Sequence, residues 1–198
     1  MPSRYPSYAY VEPMATGVTD AEIEDLINDM MSQTPGLTLR DGGPLDPLCR
    51  ALNVDLEYSG PPHEILLDVP LDRKACIWLP RKSKPRQDRF IAAMGVGYWL
   101  MHVPTTREAH PRCGIQALHR PANRAAQKEA MRFARMLLMP REEFCSLWYE
   151  GRANLVADTL NVPTQVVYER AAMLDIPMEG PGGHKYEWTP RTDTPTSP

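Results

Sequence analysis

The chain has 198 residues, a formal net charge of -3 at pH 7, 42% hydrophobic residues and 24% charged residues. These values are typical of a globular protein that is long enough to build one compact core. The near-neutral balance provides no overall attraction to nucleic acid or to anionic membranes.

No stretch of the sequence points to secretion or to a membrane. The first residues, "MPSRYPSYAYVEPM", lack the basic and then apolar build of a secretory signal. No apolar run approaches the ~18 residues that a bilayer-spanning helix needs. The four cysteines form no CxxC pair, so we expect reduced thiols and a cytoplasmic protein.

The two ends of the chain differ in composition from its middle. Residues 1–18 are rich in Tyr, Pro and Ser, and residues 178–198 are rich in Pro, Gly and Thr. Such segments cannot bury enough apolar surface to offset the entropy lost on ordering. We therefore predict a flexible N-terminal segment and a C-terminal tail, each ordered only against another surface. Between them we expect a main domain of residues 19–150 and a helical extension of residues 151–177.

Helix and strand patterns alternate between the ends. "TDAEIEDLINDMMSQT" begins with a capping residue, Thr19 or Asp20, and repeats apolar residues at helical spacing. "PLDPLCRAL" predicts a short second helix, and "VDLEYS", "EILLDV" and "ACIWLP" predict three strands. Two long helices follow, "RQDRFIAAMGVGYWLMH" and "NRAAQKEAMRFARMLLM", with residues 102–121 between them predicted as an irregular loop. The predicted class is α+β, a small three-stranded sheet packed on helices, with further helices at the C-terminal end.

The two long helices carry the residues that bear on function. Gly95 and Gly97 each cost roughly 1 kcal/mol relative to alanine in a helix interior. That cost is accepted where something approaches the backbone closely, or where glycine replaces a residue once needed for another purpose. Glu129 lies one turn before Phe133 of the second helix's apolar stripe. Its carboxylate either reaches water at the edge of the stripe or faces the core and needs a metal, a cation or hydrogen-bond donors.

Both helices resemble those of the ImmA/IrrE family of zinc metallopeptidases. The first is similar to the family pattern "RxRFTxAHExGHxLLH" at Arg89, Phe90, Ala93, Gly97, Leu100 and His102. The second is similar to "ExEANxFAxxLLMPxxxF" from Glu129 to Phe144, and "LVADTLNVPTQVVYERAAML" resembles the family's helix-turn-helix-like end. The resemblance covers about residues 20 to 176. It implies a zincin-like metallopeptidase fold followed by a helical, helix-turn-helix-like C-terminal part.

The zinc-binding residues of that family are mostly replaced. HExxH places two imidazoles on one helix face, where both reach a tetrahedral zinc, and its glutamate polarises the bound water. In the motif "MGVGY" the resemblance places Met94 at the first ligand, Gly95 at the general base and Tyr98 at the second ligand. Only the third ligand, Glu129, survives. Because a thioether and a neutral phenol bind zinc poorly and glycine has no side chain, we expect no catalytic residue and no cofactor.

Two other uses of this region stay open. His102 lies one turn beyond Tyr98, and the following stretch holds two histidines and a cysteine: His110, Cys113 and His119. A rearranged zinc site could combine Glu129, His102 and one of these, although a polar loop is the simpler interpretation. In a metal-free site, Tyr98 could instead donate a hydrogen bond to Glu129.

The C-terminal helices, residues 154–176, have the order of a DNA-binding motif but not its charge. A DNA reader carries basic and amide side chains at the start of its second helix. This region has Thr164, Gln165, Tyr168 and Arg170, opposed by Glu169 and Asp158. We predict that it packs against the main domain, with direct nucleic-acid binding as an alternative.

Active members of the family, as the resemblance implies, cleave a helix-turn-helix repressor. The sequence therefore predicts a non-catalytic, metallopeptidase-like regulatory protein, encoded by a phage, prophage or other mobile element. It would bind a repressor or a related DNA-binding protein and would not act on membranes, since the binding grooves of a fold and its catalytic ligands are separable features. The alternatives are an active zinc endopeptidase with unorthodox ligands that cleaves a repressor, and a DNA-binding regulator that uses residues 154–176.

Overall fold

The computed structural model describes residues 8–177, apart from residues 35, 40–41, 60–63 and 82. The elements in chain order are β1 (Tyr10–Val11), α1 (Asp20–Ser32), α2 (Asp46–Ala51), β2 (Asp55–Ser59), β3 (Ile65–Val69), β4 (Cys76–Pro80), α3 (Pro85–Gly97), a π-helical segment (Tyr98–His102), α4 (Val103–Ala109), β5 (Gly114–Leu118), α5 (Ala125–Leu138), α6 (Arg141–Thr159) and α7 (Thr164–Met173). The predicted α+β class and its helices and three strands are confirmed, but the sheet has five strands.

The sheet has the strand order β1-β5-β3-β4-β2. β3 runs antiparallel to both of its neighbours, β4 and β5, whereas β2 pairs in parallel with β4 and β1 in parallel with β5. The two unpredicted strands, β1 and β5, therefore lie together on one side of the sheet. This side of the sheet is where the N-terminal segment joins the rest of the protein.

The prediction of an irregular loop over residues 102–121 is wrong, because α4 and β5 lie within it. The helical path continues through Pro104, from α3 through the π segment into α4. In a regular α-helix the ring of Pro104 would collide with the carbonyl of Leu100. The wider π turn, in which the Val103 N–H reaches the Tyr98 carbonyl, accommodates the proline.

Helix α1 begins as its sequence predicts. Thr19 and Glu22 form a reciprocal capping box, in which each side chain accepts a hydrogen bond from the other residue's backbone N–H. Of the predicted apolar face, Ile23 and Met30 are buried, and Leu26 and Ile27 pack at its margin. The cap fixes where the helix starts and therefore how the segment before it approaches the core.

Helix α3 is buried on all sides between the sheet and α5, and its two glycines explain how closely it packs. A Cβ atom on Gly95 would lie 2.7 Å from Cγ1 of Ile77 in β4. A Cβ atom on Gly97 would lie 2.9 Å from Cδ1 of Phe133 in α5. Both glycines are therefore needed for the close approach of neighbouring elements to the helix backbone.

The C-terminal helices pack against the body. Helix α6 breaks at Arg152, whose φ of 62° and ψ of -162° are not helical. In α7, the Arg170 Nε–H donates to the Met139 carbonyl at 3.1 Å, and Glu169 forms an ion pair with Arg135 of α5. Val166, Val167 and Ala171 of α7 are buried. Helix α7 thus contacts α5 and the residue that follows it, Met139.

The described part of the chain has no helix whose length and apolar character would let it cross a bilayer.

Replacing Gly97 by alanine tests the packing of α3 on α5. The added methyl group collides with Phe133, and overpacking of this kind costs about 1–3 kcal/mol, only partly offset by the better helix propensity of alanine. Chemical denaturation should therefore show a lower free energy of unfolding for Gly97→Ala. In a Phe133→Leu background the same substitution should cost less, and equal costs in both backgrounds would contradict the assigned contact.

Candidate functional site

The positions of the family's HExxH motif are occupied by core residues. Met94 and Tyr98 are buried, and the place of the general base, Gly95, faces Ile77 of the sheet. A glutamate side chain at position 95 would have to displace Ile77 from the core. The residues at these positions are therefore packing residues in the structure.

Glu129 in α5 is buried, with 7% of its surface exposed, and both of its oxygens accept hydrogen bonds. Oε2 accepts from the Thr16 backbone N–H at 3.0 Å, from the Thr16 hydroxyl at 3.1 Å and from the ring nitrogen Nε2 of His102 at 2.8 Å. Oε1 accepts from the Gly17 N–H at 2.8 Å. Of the two interpretations of Glu129, the one in which it faces the core and needs partners is correct.

His102 is completely buried at the end of the π segment. Burial lowers the pKa of its imidazole more than the neighbouring Glu129 raises it, so the ring is neutral at pH 7 and donates through Nε2. Its other nitrogen, Nδ1, has no hydrogen-bond partner among the residues that the structure describes. Burial alone would raise the pKa of Glu129, but the hydrogen bonds from Thr16, His102 and Gly17 outweigh it and hold that pKa below its usual value.

The hydrogen bond predicted from Tyr98 to Glu129 is wrong. Among the described residues the donors to Glu129 are Thr16, Gly17 and His102. The Tyr98 ring instead packs against the His102 ring, with centroids 5.2 Å apart and planes inclined at 54°. His102, one turn beyond Tyr98, donates to the carboxylate instead. The N-terminal segment supplies the remaining donors, so the Tyr98 phenol is not required as a donor to Glu129.

The N-terminal donors belong to a segment that we call the strap, residues 8–18. It starts on the sheet, where β1 pairs with β5 and the Gly114 N–H donates to the Ala9 carbonyl at 2.9 Å. It then crosses α4, where the Met14 N–H donates to the Thr106 hydroxyl at 2.9 Å. The N–H groups of Thr16 and Gly17 then donate to the carboxylate of Glu129. Residues 8–18 are thus ordered against the body, whereas the sequence predicts a flexible segment unless another surface holds it; residues 1–7 lie outside the described residues.

Two glycines shape the path of the strap. Gly17 has a φ of +72°, a left-handed conformation that favours glycine and turns its N–H toward Glu129. At Gly114, a Cβ atom would lie 2.3 Å from Cε1 of Tyr10, so the missing side chain makes room for the Tyr10 ring on β5. Sequence reasoning did not identify Thr16, Gly17 or Thr106, because their roles are contacts between distant parts of the chain. The one indication of these roles in the sequence is the pair Thr16 and Gly17, whose residue types favour a turn.

Of the residues proposed for a rearranged zinc site, His102 and Glu129 are in contact. His110 is exposed, and no group of three or more His, Cys, Asp or Glu residues in the described ranges could hold a metal ion. Burial raises the pKa of the Cys49 and Cys76 thiols to about 12, so both are protonated at neutral pH. The donor set around Glu129 therefore does not fit the zinc ion that the resemblance implies.

The side chains that a DNA-reading helix would present are largely engaged in α7. The Tyr168 ring meets Trp148 of α6 edge-on, with centroids 6.2 Å apart. Glu169 is paired with Arg135, and Arg170 is 5% exposed. Gln165 is exposed.

Comparison with known proteins identifies the family. The family model Peptidase_M78, described as the IrrE N-terminal-like domain, matches residues 49–172, which is more than half of the chain. No curated protein matches the sequence. The matched range contains both long helices, with Glu129 and His102, whereas the strap and α1 precede it.

Replacing Glu129 by glutamine tests the donor network. The amide keeps the shape of the carboxylate but places an NH2 group among N–H and O–H donors, so at least one buried donor loses its acceptor. We expect a loss of about 1–3 kcal/mol in the free energy of unfolding, measured with urea. Glu142→Gln on the exposed surface of α6 is the matched control and should change stability by less than about 0.5 kcal/mol. Equal effects would show that the network contributes nothing.

The low pKa of His102 predicts a pH dependence of stability. As the pH falls below about 6.5, the unfolded chain takes up the proton before the folded protein does, and this favours unfolding. His102→Gln keeps an N–H donor for Glu129 but does not titrate, so its stability should fall less between pH 7 and pH 5. Identical slopes for His102→Gln and the wild type would contradict the assignment.

Proposed function

Because the chain belongs to the family of IrrE N-terminal-like domains, we propose that it is a metallopeptidase-like protein without peptidase activity that acts by binding another protein. The observation that carries the proposal is the state of Glu129, the surviving ligand position. Its two oxygens accept four hydrogen bonds from the protein itself. The zincin-like arrangement and the helix-turn-helix-like character of α6 and α7 are parts of the same proposal.

The loss of peptidase activity is supported by what metal-assisted hydrolysis requires. A catalytic zinc needs three protein ligands and an open position for the water that it activates, and a nearby base must take the water's proton. Met94 and Tyr98 are poor substitutes for two of the ligands, and Gly95 provides no base. The close contact at Gly95 also leaves no space for a side chain there. In this proposal, Met94, Gly95 and Tyr98 contribute to core packing and not to catalysis.

The proposed partner is a repressor or a related DNA-binding protein, and the proposed source is a phage, prophage or other mobile element. The basis is the similarity to the family's helix patterns, since the surface that recognises a partner can outlast the catalytic ligands. A partner of this kind acts in the cytoplasm, so the proposal places the protein there.

Metal analysis and a cleavage assay test the loss of catalysis. The purified protein, incubated with Zn²⁺ and desalted, should retain far less than one equivalent of zinc, and should leave a candidate repressor intact. Glu129→Ala should behave the same way in both assays. Stoichiometric zinc that disappears in Glu129→Ala, or repressor cleavage that a chelator stops, would overturn the proposal in favour of an active zinc endopeptidase.

The partner is tested by affinity capture from the native host with the metal-free, full-length protein as bait. We expect one DNA-binding protein to be enriched and to remain uncleaved, and its binding to be reproduced with both proteins purified. If the purified proteins do not bind each other, and the bait instead binds duplex DNA in a salt-dependent way that a substitution on the exposed face of α7, Gln165→Ala, weakens, the protein is a DNA-binding regulator.

A further inference from the structure

The strap lies on the surface of the protein but covers buried polar groups. None of the side chains from residue 8 to residue 22 is buried, and Ile23 is the first buried residue of the described chain. Beneath the strap, Thr106 and His102 are completely buried, and Glu129 nearly so. Val11 and Val18 pack against the core but are only partly buried, so the segment that shields these groups has no fully buried apolar anchor. Local opening is cheapest in such segments, because little apolar surface is exposed when they leave.

Most of the contacts that hold the strap come from its backbone. The N–H groups of Met14, Thr16 and Gly17 and the carbonyl of Ala9 make four of its hydrogen bonds to the body. Another extended segment has the same backbone groups and could make the same bonds. Side chains contribute at three points: the Tyr10 ring over Gly114, the hydroxyl of Thr16 on Glu129, and the hydroxyl of Tyr8, which donates to Asp72 at 2.8 Å and accepts from the Leu71 N–H at 3.1 Å.

The edge of β5 is longer than the strand that pairs with it. β1 pairs with only Gly114 and Ile115, whereas β5 continues to Leu118. On its other side, β5 pairs with β3 from Ile115 to Leu118. A longer segment than β1 could therefore pair along more of the edge, as in strand addition to a sheet.

We propose that the strap is exchangeable, and that the surface beneath it, the outer edge of β5 with Thr106 and Glu129, receives an extended segment of a protein partner in its place. This proposal rests on the proposed function, binding to another protein, and assigns the surface used. The occupant is an extended peptide that places an aromatic side chain over Gly114. Further along the peptide, the successive N–H groups of a small hydroxyl residue and a glycine donate to Glu129. A carboxylate at that last position is excluded by repulsion from Glu129.

A peptide of residues 8–18, "YAYVEPMATGV", is the probe for this surface. In the full-length variant Tyr10→Ala/Thr16→Ala, the strap loses two of its side-chain contacts, whereas its backbone hydrogen bonds and those of the Tyr8 hydroxyl remain possible. Fluorescence anisotropy should show that the labelled peptide binds this variant at least tenfold more tightly than it binds the wild type, whose own strap competes. A scrambled peptide should bind neither protein.

A further substitution, Gly114→Ala in the same variant, provides the matched control. The added methyl group has room beside the alanine at position 10 of the weakened strap. It collides, however, with the ring of the incoming peptide's second tyrosine, which is equivalent to Tyr10. Peptide binding should therefore be lost while the protein stays folded by circular dichroism. Equal peptide affinity for the wild type and the strap variant, absence of binding to both, or binding that Gly114→Ala leaves unchanged would each overturn the proposal.

Hydrogen exchange in the wild-type protein tests the strap without any substitution. The amides of Met14, Thr16, Gly17 and Gly114, which bond across the strap, should exchange together and at least a hundredfold faster than the core amides of α3 and α5. Exchange of these four amides only at the rate of the core amides would show that the strap leaves only on global unfolding. Neither experiment involves zinc or the partner, so exchangeability can fail while the metal and capture experiments still support the proposed function.

Discussion

The carboxylate of Glu129 is buried where α5, the π segment and the strap meet, and there it must either be protonated or be surrounded by donors. In a zinc peptidase a metal ion meets this demand. In this protein a neutral imidazole and the backbone of the N-terminal segment meet it instead. The path of the strap, the tautomer of His102 and the order of residues 8–18 all depend on that one buried charge.

A constraint of shape applies in the same way to α3. Its two glycines allow the sheet and α5 to approach the helix backbone from opposite sides, and Met94 and Tyr98 fill the remaining space in the core. Close packing of this kind depends on shape and volume and not on the presence of a ligand. The position of α3 is therefore set by its surroundings and does not require a bound ligand.

What the sequence could predict was local or periodic. The capped helix α1, the three strands β2 to β4 and the stripe of α5 could all be read from short patterns, and the family model agrees with the resemblance. The strands β1 and β5, the turn that accommodates Pro104 and the donors to Glu129 depend on contacts between residues far apart in the chain. A two-residue strand is too short to show an alternation of polar and apolar residues. The sequence also does not indicate which backbone N–H groups donate to Glu129. His102 was identified as a possible ligand, but its role as a hydrogen-bond donor depends on burial.

The reliance of the strap on main-chain groups has an evolutionary consequence. Selection acts on side chains, and few positions of residues 8–18 are constrained by theirs, so this stretch can accumulate substitutions while its path over the carboxylate persists. Homologous proteins could share the arrangement with little sequence identity there, and the matched range, which begins at residue 49, does not include it. Superposing the structures of homologous proteins would show in which of them a chain segment lies against the carboxylate equivalent to Glu129.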